Sequence, residues 1–117
     1  MILDAKQLFQ SGSYKSSNNR AYYAIFHSMR AVLALDEVDF RRHSGVIQFF
    51  QKEYIKTGIF DKEYSDIITS ASEIRNASDY DDFYIASKDE TKMQVESAER
   101  FCNAVEIFLN STIEKIP

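Results

Sequence analysis

Apolar residues recur along this chain at three- and four-residue intervals, the period of helices that bury one face. The opening stretch, about Leu3 to Gln10, reads as a short helix, and Gly12 beyond it suits a left-handed C-terminal cap. Tyr22, Ile25, Phe26, Met29, Val32 and Leu33 mark the inner face of a second helix, about Tyr14 to Leu35. A third, about Ser44 to Lys56, turns Val46, Phe49, Phe50 and Tyr54 inward and is closed by Gly58. A fourth, about Asp61 to Ser78, does the same with Tyr64, Ile67, Ile68, Ala71 and Ile74. A loop rich in Asp and Tyr follows over Asp79 to Ala86. Ser87 and Glu90 form an S-x-x-E capping box, so the last helix starts near Lys88. Its stripe of Val95, Ala98, Cys102, Val105, Leu109, Ile113 and Ile116 is widened by Phe101 and Phe108, with Glu96, Arg100 and Asn103 opposite. A stripe that wide needs several helical neighbours. The pattern therefore predicts an all-α, up-and-down four- to five-helix bundle, one domain over residues 1–117.

Composition agrees with this pattern. The chain has 3 glycines and 1 proline, few breaks for its length, which favours long helices and short loops. With 44% hydrophobic and 27% charged residues, the balance is that of a globular protein and excludes a disordered one. No apolar run approaches the roughly 20 residues of a membrane span. Met1 to Gln10 is too short and polar for a secretion signal. The single cysteine excludes an internal disulfide. A cytoplasmic protein with no membrane contact is the expectation. The net charge of −4 argues weakly against non-specific nucleic-acid binding, but it is unevenly spread. Residues 1–58 carry +3 and residues 59–117 carry −7. Either the bundle presents a basic surface despite its acidic total, or these are two solvated faces of different sign.

Several chemistries are excluded outright. There is no Gly-rich phosphate loop, no Cys/His cluster at metal-ligand spacing and no G-x-S-x-G elbow, so no metal and no cofactor is expected. Cys102 sits mid-stripe, where a thiol is buried and inert. Helix two has a second face with Arg20, Tyr23, Ala24 and His27, continued by Ala31 and Ala34. A fixed cation two turns from an imidazole can hold a phosphate and move a proton. The same face can equally pack on another helix through its alanines, with Arg20 and His27 at the rim. Arg75 falls at the edge of the buried stripe of helix four, where a charge must be paired or solvated. It can pair locally with Asp79, or face a cleft or a second subunit and grip a phosphate. Asn76, Asp79, Tyr80, Asp81 and Asp82 follow. Three carboxylates in so short a run can signal a divalent cation, yet no further ligands accompany them and a solvated acidic turn explains them as well. Arg41, Arg42 and His43 precede Ser44, which can cap helix three. A capped basic helix start is an anion site, or else a solvated loop.

These positions carry a family resemblance. Asn19 to His27, reading NRAYYAIFH, resembles the NRAYYAxFH signature of small prokaryotic HEPN proteins. His43-Ser44-Gly45-Val46-Ile47 with Phe49-Phe50 resembles the HSG-x-I-x-x-F segment that follows it. Arg75 to Asp82, RNASDYDD, is similar to that branch's R-x-x-x-DYDD segment. The order is the expected one, and the resemblance spans about Leu8 to Leu109. It implies a four- or five-helix bundle that dimerises, bound to nucleotide or RNA. Many such domains are metal-independent RNases of toxin–antitoxin and defence systems, often beside a minimal nucleotidyltransferase partner. The first helix is short beside the family's usual one, as if the chain were truncated or began late.

The family's catalytic signature is an Arg followed, after four to six residues, by a His. Here Tyr80 stands in that position after Arg75, and no His occurs beyond His43. A Tyr with an ordinary pKa near 10 is a poor general base at neutral pH. Arg20 and His27 satisfy an Arg-x6-His spacing, but on an earlier helix. Three readings follow. In the favoured one the bundle binds nucleotide, RNA or a nucleotidyltransferase without chemistry, through Arg75, Asn76, Asp79 and Tyr80, with Arg20, Tyr23, His27, Arg42 and His43 as further contacts. In the second it is a metal-independent RNase, with His27 as base and Arg20 or Arg75 stabilising the anion, so that Arg75, Tyr80, Arg20 and His27 are the catalytic candidates. In the third it is a structural or antitoxin-like partner whose bundle face is the whole function.

Overall fold

The computed structural model describes residues 1–81 and 83–114. Asp82 of the acidic turn and Ile116 of the last stripe, both named above, lie outside the described residues. The helices are α1 (Ile2–Gln10), α2 (Tyr14–Leu35), α3 (His43–Phe50, continued by a π-helical turn at Gln51–Ile55), α4 (Glu63–Tyr80) and α5 (Lys88–Glu114). No strand occurs among the described residues, and no helix is long and apolar enough to cross a membrane. The all-α bundle is as the hydrophobic period predicts.

Local sequence sets most helix ends. Gly12, at φ 82°, donates to Phe9 O while Ser13 donates to Leu8 O, the paired bonds of a Schellman cap. The same bonds end α2, from Glu37 to Ala34 O and Val38 to Leu33 O, but here the left-handed residue is Glu37 at φ 57°. Gly58, at φ 84°, turns the chain after the π turn, as expected. At α5 the Ser87 hydroxyl accepts from Glu90 N–H at 3.1 Å, one half of the predicted capping box. The other half is diverted: the Glu90 carboxylate accepts from the Tyr84 hydroxyl, whose pKa burial and that bond push up to about 12. Ser44 does not cap α3. The helix begins one residue earlier at His43, with Arg42 at the cap position and no side-chain bond there.

Helix α2 is the central element and packs against all four others. Its predicted inner residues Tyr22, Ile25, Phe26, Met29, Val32 and Leu33 are all buried. They meet Val46, Phe50, Tyr54 and Phe60, Ile68 and Ala71, and Val95, Ala98, Phe101 and Val105 in one cluster. Burying side chains of this size contributes about 1.5–3 kcal/mol each before entropy is charged. On α5 the stripe outruns its partners: Val105 is buried, Leu109 half-buried, and Ile113 58% exposed.

Two features of the path position the site. First, the loop after α2 doubles back along it. Asp39 pairs with Arg30 at 2.8 Å, and α3 then starts with His43 beside Tyr22 and Phe26. Gly45 makes this possible, since a Cβ there would stand 2.9 Å from Phe40. Second, α4 runs antiparallel to α2, with Arg75 level with Tyr22 and Tyr23, and Ser78 and Asp79 level with Lys15 to Arg20.

Candidate functional site

Arg75 is the centre of a cluster drawn from three helices. Its guanidinium lies 5.0 Å from the Tyr22 ring centre and 5.6 Å from that of Tyr23, a cation seated on two aromatic faces. Nη2 donates to the Tyr23 hydroxyl at 3.4 Å, and Nε stands 3.6 Å from Asp79 Oδ2, one turn along α4. That is ion-pair distance but not a hydrogen bond: Nε is buried and has no hydrogen-bond partner among the described residues. Burial alone would lower the guanidinium pKa, but Tyr23, Tyr22 and Asp79 outweigh it and raise the value. The side chain is thus a permanent cation, 26% exposed, with its Nε sealed from solvent.

His43, on α3, completes the cluster. Its Nδ1 is 2.9 Å from the Tyr22 hydroxyl, and its ring stacks on Phe26 at 3.9 Å. The pair serves in either sense, the phenol donating to Nδ1 or Nδ1–H donating to the phenol oxygen. Burial chiefly, then the positive charge of Arg75, Arg30 and His27, holds the imidazole below its ordinary pKa. Burial raises the Tyr22 hydroxyl despite the nearby Arg75. At neutral pH the site therefore presents a neutral imidazole and a neutral phenol beside a fixed cation.

The remaining predicted residues divide. Tyr23, half-buried, and Asp79 belong to the cluster. His27 is exposed, with its ring centre 6.0 Å from that of Tyr23. It also borders an apolar groove of about 480 Å³ lined by Ala24, Ala31, Cys102, Val105 and Leu109 among others. Arg20 lines a different, polar cleft of about 210 Å³ with Lys15, Ser16, Asn19, Ser78 and Asp79. Arg20 and His27 are seven positions apart, about 10 Å along the axis, with Tyr23 between them, so the two do not converge on one point. Asn76 faces elsewhere, into a groove with Ser44, Gln48 and Glu73. Arg42 is exposed, and Tyr80 is 85% exposed at the end of α4, away from Arg75. Asp81 accepts from Phe83 N–H at 2.9 Å, as a solvated turn would. Among the described residues no three His, Cys, Asp or Glu side chains are grouped as a metal site would be. Cys102 is half-buried; burial raises its thiol pKa although Ser28 donates to Sγ at 3.3 Å.

The sequence pattern assigned Tyr22 to the core alone. It is buried, yet it supports Arg75 and bonds to His43. The available signal was its hydroxyl, since a phenol on a buried stripe needs a partner. Lys15 and Ser16 carried no signal, and Asn19 only that of opening the NRAYYAIFH segment.

The family model of the HEPN domain matches residues 2–108, and the chain belongs to that family. A Thermotoga maritima protein named as a UPF0332 protein is 34% identical over 103 residues, covering 88% of this chain and 78% of its own. A Methanocaldococcus jannaschii protein carrying the name "Putative toxin" is 32% identical over 107 residues, 92% of this chain and 73% of its own. An Archaeoglobus fulgidus UPF0332 protein is 32% identical over 101 residues, covering 86% and 80%.

Proposed function

We propose that this HEPN domain binds RNA or nucleotide phosphate at Arg75 and works as a dimer in a toxin-related module, with a nucleotidyltransferase as the kind of partner it meets. The observation that carries the reading is the guanidinium itself: charged, held on two tyrosine rings, paired with Asp79 at ion-pair distance only, and on a side chain that stays 26% exposed. A group so placed is oriented before a ligand arrives, and its solvent-facing edge carries a fixed positive charge for a phosphate. The M. jannaschii relative's name supports the toxin-related context. The alanine-lined apolar groove between α2 and α5 supports a second copy as its occupant. Exposed Tyr80, Phe83 and Ile85, at 85%, 91% and 86%, offer a separate apolar surface to a protein partner, which also suits the antitoxin-like alternative.

A second reading, metal-independent RNA cleavage, is favoured by His43. A neutral imidazole beside a fixed cation has the parts for attack by a 2′-hydroxyl: a base for its proton and a charge for the phosphate. In this reading His43 supplies the base that Tyr80, standing in the signature's His position, does not. His27, exposed with its ring centre 6.0 Å from that of Tyr23, is the candidate proton donor to the leaving 5′-oxygen.

One experiment separates these. Single-stranded RNA is titrated against the purified protein in EDTA, with binding and cleavage read together, beside Arg75→Ala, His43→Ala and His27→Ala. Arg75→Ala weakens binding roughly 10- to 100-fold, the range expected for a lost charged hydrogen bond of about 1.5–3 kcal/mol. Binding indifferent to Arg75→Ala and to salt overturns the reading, because phosphate contacts are salt-sensitive. Cleavage lost with either histidine makes the domain an RNase; binding without cleavage leaves it a binding module.

A further inference from the structure

The polar cleft beside the Arg75 cluster is not used by that reading. Lys15, Ser16, Asn19 and Arg20 fill the first two turns of α2, and Ser78 and Asp79 close the cleft from the last turn of α4. Lys15 and Arg20 are both exposed, so their charges are free to meet a ligand. Asp79 is shared: its carboxylate faces Arg75 on one side and lines this cleft on the other. An anion therefore already lies between two cationic centres. Along α2, Arg20 precedes Tyr23 by three residues, about 4.5 Å of rise, and along α4 Arg75 precedes Asp79 by four, about 6 Å. The Arg75 guanidinium in turn lies 5.6 Å from the Tyr23 ring centre, so cation, aromatic ring and cation follow one another from Arg20 through Tyr23 to Arg75. That alternation, charge for the backbone and a ring face for a base, is what single-stranded nucleic acid is held by.

Resting on the proposed binding at Arg75, we infer that the Lys15–Arg20 cleft is a second phosphate subsite of the same site, and that the ligand is a single RNA strand rather than a mononucleotide. One phosphate sits on Arg75, a base lies against the exposed side of Tyr23, and the neighbouring phosphate enters the cleft on Lys15 and Arg20. Ser16, Asn19 and Ser78 supply neutral hydrogen bonds to it. Asp79 acts against this ligand by like charge, so its carboxylate tunes affinity downward.

The test measures binding of a uridine dinucleotide and a uridine hexanucleotide, in EDTA, to the full chain, the Lys15→Gln/Arg20→Gln double variant, Asp79→Asn and Arg75→Ala. The hexanucleotide binds wild type at least about tenfold more tightly than the dinucleotide, and the double variant abolishes that gain, so that the two lengths bind it alike. The salt slope for the hexanucleotide falls in the double variant by about 0.7 for each phosphate contact removed. Asp79→Asn tightens hexanucleotide binding severalfold. Equal binding of the two lengths by wild type, or a double variant that still favours the hexanucleotide, overturns the subsite. If Arg75→Ala abolishes dinucleotide binding in that same experiment, the Arg75 reading survives without the subsite. If the hexanucleotide depends on Lys15 and Arg20 but not on Arg75, the reverse holds. If wild type binds neither, both are wrong.

Discussion

A side chain 26% exposed and always charged is an expensive thing to place between helices, and Arg75 is kept there by aromatic faces rather than by a tight ion pair. Its surroundings also set the protonation of His43. Because burial and neighbouring cations lower the folded pKa of His43, the unfolded chain takes up that proton first as pH falls. Its contribution is fully present above the ordinary value of 6.5 and is lost as pH falls through that value toward the folded one. His43→Gln removes this dependence. Between about pH 7.5 and about pH 5.5, the range in which an ordinary histidine titrates, the variant loses less thermal stability than wild type. Equal losses would mean that His43 titrates alike in the folded and unfolded chain. None of this was legible residue by residue: the sequence marked Arg75 and His43 as chemistry, but that Tyr22 joins them depends on three helices meeting.

At the scale of the elements, the chain's own period gave nearly every helix, because each inner stripe is built from large apolar groups at regular spacing. Glycines marked two of the turns. The third, after α2, was silent, since Glu37 adopts the left-handed conformation that Gly12 and Gly58 adopt elsewhere. An L-residue there costs about 1–2 kcal/mol, partly offset by its smaller loss of backbone freedom on folding. Glu37→Gly is therefore expected to raise stability by about 0.5–1 kcal/mol, read as a higher denaturation midpoint with an unchanged slope. A lower midpoint would show that the Glu37 side chain makes a compensating contact. Ser44 illustrates the opposite miss. It is a good capping residue in sequence, but Gly45 packed against Phe40 fixes the loop so that the helix starts at His43. Likewise α4 continues to Tyr80, two residues beyond the expected Ser78, which places Asp79 one helical turn from Arg75 and leaves Tyr80 outside.

For the molecule as a whole, the bundle class was written in the pattern, while the lateral order of helices was not. Periodicity says which face of α2 is buried but not that α3 returns beside its middle. The candidate site therefore emerged as separate motifs, and its convergence on Arg75, Tyr22 and His43 came only with the packing. The same packing leaves the groove bordered by Ala24 and Ala31 uncovered. If a second copy fills it, light scattering at micromolar concentration gives the mass of a dimer, and exposed Ala31→Arg shifts it toward monomer without unfolding the bundle. A dimer indifferent to that change would place the interface on another face.

The π turn at Gln51–Ile55 carries a last consequence. Its Lys56 N–H bonds to Gln51 O, five residues back, so this stretch contains one residue more than an α-helical turn would need. Neighbouring Tyr54 and Ile55 are both buried there. The segment holds a phase shift of about 100° between the start of α3, which serves the site, and its end, where Tyr54 bonds to Asp36. The two ends of α3 are thereby free to answer to different neighbours: the first can keep its register on Tyr22 while the second keeps its own on the loop after α2.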